Sequence, residues 1–115
     1  MKVSEMEGAD LDYWVAKAIG AEVHQMAYDY PIATYNGYTG GWQFSRVWSE
    51  GGPLIEEYRV NLATIQDIDL PGWSASCQKS GYMMGVTAEE LGDTPLQAAC
   101  RSIVASVYGD GVPDE

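Results

Sequence analysis

Thr94-Pro95-Leu96-Gln97-Ala98-Ala99-Cys100-Arg101-Ser102-Ile103-Val104-Ala105-Ser106-Val107-Tyr108-Gly109 spells out a helix together with both of its ends. Thr94 is an N-cap whose hydroxyl can accept from a free helical N–H, and Pro95 suits the first helical position because no N–H is needed there. Gln97 stands where the return partner of a capping box belongs, and Gly109 where a left-handed C-cap belongs. Leu96, Ala99, Cys100, Ile103, Val104 and Val107 recur at three- and four-residue spacing, so one stripe is apolar and has to be buried. A helix of this kind needs a surface to lie on, and the rest of the chain supplies it in short pieces.

A second helix is predicted from Ala9 to Ile19. Leu11, Trp14, Val15, Ala18 and Ile19 share a face, and Gly20 closes it. Asp10 and Asp12 fall in its first turn and Lys17 near its end, as the helix dipole prefers. Short strands are expected at Glu22–Gln25 and Ile32–Tyr35, with a hairpin turn at Asn36-Gly37. Trp42, Phe44, Arg46 and Trp48 alternate with Gln43, Ser45 and Val47, which reads as an extended segment. Pro53 then opens a short helical turn with Leu54, Ile55 and Tyr58 inward, and Arg59–Ile65 reads as a strand. Trp73–Gln78 and Tyr82–Val86 read as a hairpin, and Thr87-Ala88-Glu89-Glu90 as the lead into the last helix. The tail from Asp110 to Glu115 is expected to be loosely held. These elements predict one domain over residues 1–115, α+β in class: a small antiparallel sheet with an N-terminal and a C-terminal helix on one face.

The chain has 115 residues, 46% of them hydrophobic, enough for one modest core. Its 17 acidic and 6 basic residues give a formal net charge of −11. Direct nucleic-acid binding needs a basic face, and anionic membranes repel an acidic one, so neither is expected. The N-terminus lacks the apolar core of a signal peptide, and no run reaches the ~20 apolar residues of a membrane helix. Cytoplasmic residence follows as an expectation, with Cys77 and Cys100 as free thiols.

No catalytic constellation emerges. His24 is the sole histidine, and joining it to Cys77, Cys100 and a carboxylate would draw on distant segments without ligand spacing, so no metal or cofactor is expected. Adjacent acids such as Glu56-Glu57 and Glu89-Glu90 read as solvated. Gly37-Tyr38-Thr39-Gly40-Gly41 lacks the Lys-Ser/Thr of a phosphate loop and reads as a turn or loop. The segment Trp48-Ser49-Glu50-Gly51-Gly52-Pro53 is the candidate binding turn. Two glycines permit close backbone approach, Pro53 opens a helix whose free N–H groups suit an anion, and Trp48 offers a stacking wall. Against this stands a purely structural turn. With 4 Trp, 8 Tyr and 1 Phe the chain is rich in interface-type side chains, of which Tyr35, Tyr38 and Trp42, near the glycines, are the candidates for exposure.

Three blocks carry a resemblance. They are Leu11-Asp12-Tyr13-Trp14-Val15-Ala16-Lys17-Ala18, Trp48-Ser49-Glu50-Gly51-Gly52-Pro53-Leu54-Ile55-Glu56, and Thr94-Pro95-Leu96-Gln97-Ala98-Ala99-Cys100-Arg101 with Val104-Ala105-Ser106. In order and spacing they resemble the NinX-like family of small phage and prophage proteins, as does the ending Val112-Pro113-Asp114-Glu115. The resemblance implies a phage accessory protein acting inside an infected bacterium, and it carries over no catalytic residues because the family's function is unknown. The expected role is a non-enzymatic module that binds a host or phage protein with a basic surface, including the variant in which carboxylates imitate nucleic-acid phosphates. The competing readings are a ligand-binding protein or enzyme using the Trp48–Pro53 turn, and a homodimeric structural module.

Overall fold

The computed structural model describes residues 1–65, 72–77 and 88–113. A short 3-10 helix, Val3–Glu5, precedes α1 (Gly8–Ala18), then β1 (Glu22–Met26), β2 (Pro31–Tyr35), β3 (Tyr38–Gly41), α2 (Trp48–Glu57), β4 (Val60–Thr64), β5 (Trp73–Cys77), β6 (Ala88–Gly92) and α3 (Pro95–Tyr108). The class is α+β, but the strands form two three-stranded antiparallel sheets, β1-β2-β3 and β4-β5-β6, rather than one.

α3 forms as its sequence dictates. The Thr94 hydroxyl accepts from the Gln97 N–H at 3.0 Å, and the Gln97 side-chain oxygen accepts in return from the Asp93 N–H at 2.7 Å. Gly109 takes φ 80°, ψ −148°, a positive-φ ending but an extended one rather than left-handed helical. The stripe from Leu96 to Val104 is buried between the β4-β5-β6 sheet and α1. Ser102, fully buried on that stripe, turns its hydroxyl back to the Ala99 carbonyl at 2.7 Å, which removes the cost of an unpaired polar group. Arg101 ties the helix to its surroundings by donating to the Met6 carbonyl at 2.9 Å and the Leu91 carbonyl at 2.8 Å.

The first sheet is built on the expected hairpin. Asn36 and Gly37 both have positive φ, 51° and 79°, as a type I′ turn requires, and pair Tyr35 with Tyr38 and Thr34 with Thr39. Tyr38–Gly41 is therefore a strand, not a loop. The extended segment expected over residues 42–48 is instead a turn: the Arg46 and Val47 N–H groups both donate to the Gln43 carbonyl, at 3.0 and 2.9 Å. Phe44 drops into the core, and α2 starts at Trp48, five residues before Pro53. Ala88–Gly92, expected to lead into the last helix, is β6, paired along β5 from Trp73↔Gly92 to Cys77↔Ala88. The expected strand at Tyr82–Val86 lies outside the described residues. The tail is pinned as far as Val112: Lys2 bridges to Gly111, the Val112 N–H donates to the Met1 carbonyl at 3.0 Å, and Val112 is buried.

The bend after β3 is held by a charge that the sequence places on a helix's apolar side. Asp12 of α1 is completely buried. One of its oxygens accepts from the Ser45 backbone N–H at 2.7 Å, the other from Arg46 Nη2 at 2.8 Å and Nε at 3.1 Å. Arg46 reaches on to Asp29, donating to its carboxylate at 3.0 Å and its carbonyl at 2.6 Å. Burial pulls the Arg46 guanidinium pKa down, but Asp12 and Asp29 outweigh it, and the net shift is up. Asp12→Ala strands the buried Ser45 N–H and removes two of the four guanidinium bonds of Arg46, so denaturant unfolding should show a loss of about 3 kcal/mol; a loss under about 1 kcal/mol would contradict this account.

Candidate functional site

One face of α2 and the hairpin of the first sheet enclose a hollow of about 180 Å³. Ser49, Glu50, Pro53, Leu54 and Glu57 lie on neighbouring positions of α2, and Tyr35, Asn36 and Trp42 close the other side. Three of the candidate residues therefore meet here: Trp42, Ser49 and Pro53. Tyr38, 67% exposed, stands beside the hollow, its ring edge-to-face with Trp42 at 5.7 Å.

Trp42 is held from several directions. Its ring stacks on Phe44 at 5.1 Å, Tyr35 meets it edge-to-face at 5.9 Å, and its indole N–H donates to the Ala33 carbonyl at 3.0 Å. Two carboxylates share the hollow. Glu50 accepts from the Gln43 N–H at 2.6 Å, and Glu57 accepts from the Tyr35 hydroxyl at 3.1 Å. Partial burial, followed by the bond to Glu57 and its negative charge, pushes the Tyr35 phenol up to about 12. An aromatic wall facing carboxylates suits a cation and disfavours an anion.

The remaining candidates are explained by the helix. Gly51 is buried, and a Cβ there would stand 1.9 Å from the Phe44 carbonyl oxygen, so the glycine lets α2 rest on the backbone turn beneath it. Gly52 has no such constraint: a Cβ would meet only the Trp48 ring, at 3.5 Å. Trp48 opens α2 and is 56% exposed, so it is not a core residue. Pro53 is the sixth residue of α2 and does not open it, so the free N–H groups expected at Pro53 lie instead at Trp48. Residue-by-residue reading missed Glu50, Glu57 and Asn36. The signal available for the two acids was their i, i+7 spacing on the face that also carries Pro53 and Leu54.

Elsewhere, His24 shares a 2.7 Å hydrogen bond with Thr34 on the first sheet, and Cys77 and Cys100 are buried free thiols. Burial, with the Asp12 charge behind it, raises the Cys100 thiol well above its ordinary range and makes it a poor nucleophile. Among the described residues no group of three or more His, Cys, Asp or Glu side chains is placed to hold a metal ion.

The two glycines separate packing from recognition. Gly51→Ala should destabilise by about 2 kcal/mol or more in thermal or denaturant unfolding, the clash exceeding the better helix propensity of alanine. Gly52→Ala should stabilise by about 0.5–1 kcal/mol. Equal effects at the two positions would overturn this assignment. For Tyr35, the raised folded-state value means stability intact below pH ~10, the unfolded value, and falling as pH rises toward 12. In an ultraviolet titration Tyr35→Phe should remove a late-ionising phenol; an unchanged late phase would refute the Tyr35–Glu57 bond.

Residues 2–107 match the family described as Bacteriophage P22, NinX. No curated protein matches the chain. The three sequence blocks noted above all fall within the matched span, which covers nearly the whole protein, and the chain belongs to the bacteriophage P22 NinX family.

Proposed function

We propose that this phage accessory protein is a non-enzymatic binding module that acts in the cytoplasm of the infected bacterium on a host or phage protein with a basic surface. The observation that carries this reading is the aromatic hollow with its two carboxylates, set in a chain of net charge −11. Charge steers and orients the encounter, while rigid exposed aromatics supply contact area at low entropic cost. Exposed Trp48 and Tyr38 stand on the two elements that border the hollow, α2 and the hairpin. Arg46 and Arg101, two of the chain's six basic residues, are taken up by internal bonds, which leaves fewer cations to offset the acidic surface. Imitation of nucleic acid is one form of this activity, in which carboxylates take phosphate positions on a basic partner.

Capture experiments test it. Tagged protein and a Tyr38→Ala/Trp48→Ala double variant are exposed to infected and uninfected lysates at low and high salt. The expected result is a basic partner retained by the wild type, lost at high salt and lost by the equally stable variant. Retention that ignores both salt and the variant, or no retained protein at all, would overturn the proposal.

A further inference from the structure

The size and chemistry of the hollow restrict what enters it. At about 180 Å³ it falls below the ~300–1,000 Å³ of sites for drug-sized ligands, so it suits one side chain rather than a nucleotide or cofactor. Its wall is rigid, because Trp42 is fixed by Phe44, Tyr35 and the Ala33 carbonyl. Its polar groups are carboxylates, Glu50 on one helical turn and Glu57 two turns on, with Tyr35 fixing one of the Glu57 oxygens. Asn36 adds a neutral amide at the hairpin end. We propose that the hollow between α2 and the hairpin is a receptor for a single arginine side chain of the basic partner, its guanidinium lying against Trp42 and reaching the Glu50 and Glu57 carboxylates. This rests on the binding-module reading and makes it specific. Arginine is preferred over lysine because a planar guanidinium both stacks on an aromatic surface and presents several donors to carboxylates, whereas an ammonium is a more strongly hydrated point charge.

The probe is an acetylated, amidated tri-arginine peptide titrated into isotope-labelled protein, with tri-lysine as comparison, followed by amide and indole NMR signals. Tri-arginine should move the Trp42 indole signal and the amides of Asn36, Ser49 and Glu57 along one saturable curve, and should bind roughly threefold tighter than tri-lysine. Glu57→Gln keeps an acceptor for Tyr35 but loses the charge, and should weaken tri-arginine roughly threefold with an unchanged melting temperature. Glu22→Gln, an exposed acid on β1, should leave the affinity unchanged. Equal binding of the two peptides, shifts spread over the acidic surface, or equal weakening by Glu22→Gln and Glu57→Gln would each overturn the arginine receptor. None of these would alter the capture of a basic partner in lysate, so the two readings fail separately.

Discussion

One buried carboxylate decides where the parts of this protein meet. A charge removed from water is tolerated only when it is paired and fully hydrogen-bonded, and Asp12 is both. Its two bonding directions dictate two positions: the backbone at Ser45 and the guanidinium of Arg46. With Ser45 fixed, the chain leaving β3 has to bend, and Phe44 enters the core beside Asp12's partners. The backbone carbonyl of Phe44 then becomes the bed on which Gly51 rests, which sets the height of α2 above the hairpin. Arg46 also holds the β1–β2 turn through Asp29, so the first sheet and α2 take their positions from the same pair.

The first and last helices, α1 and α3, were legible in the sequence because their signals are local. Thr94, Pro95 and Gln97 announce the start of α3, and the apolar stripe names its buried face. The Asn36-Gly37 turn was equally legible, since only a few residues accept positive φ at both positions. The bend at residues 43–47 was not, because its cause lies more than thirty residues away in α1. The alternation of Trp42, Phe44, Arg46 and Trp48 has the period of a strand, yet each of the four has a different environment: stacked, buried, ion-paired and exposed. Asp12 carried one hint. It lies between Leu11 and Val15-Ala16, inside the buried stripe of α1 rather than on its flank; because α1 begins at Gly8, only Asp10 falls in the first turn, and Asp12, the fifth helical residue, answers to a partner and not to the helix dipole.

The candidate site was half legible for a related reason. The glycines and proline of Trp48–Pro53 looked like loop chemistry, and glycines in a helix are a cost unless something must come close. What comes close is the protein's own backbone, at Gly51. The hollow itself depends on a contact between two elements that sequence spacing alone does not connect, a helix face and a hairpin. Its members from α2 could be grouped by helical period, but their juxtaposition with Trp42 and Tyr35 is a product of the fold.

The stitching of the two chain ends has a consequence for synthesis. The Val3 N–H donates to the Asp110 carbonyl, and the Val112 N–H to that of Met1, so residues made early and residues made about 110 positions later share one short ladder. α3, made late, also packs against α1 and supplies much of the buried core, with Arg101 closing on Met6. On a ribosome that is still adding residue 95, the apolar sides of α1 and of the second sheet therefore have nothing to cover them. The native core closes only once α3 has emerged, and until then the nascent chain, with its excess of carboxylates, relies on charge repulsion for solubility.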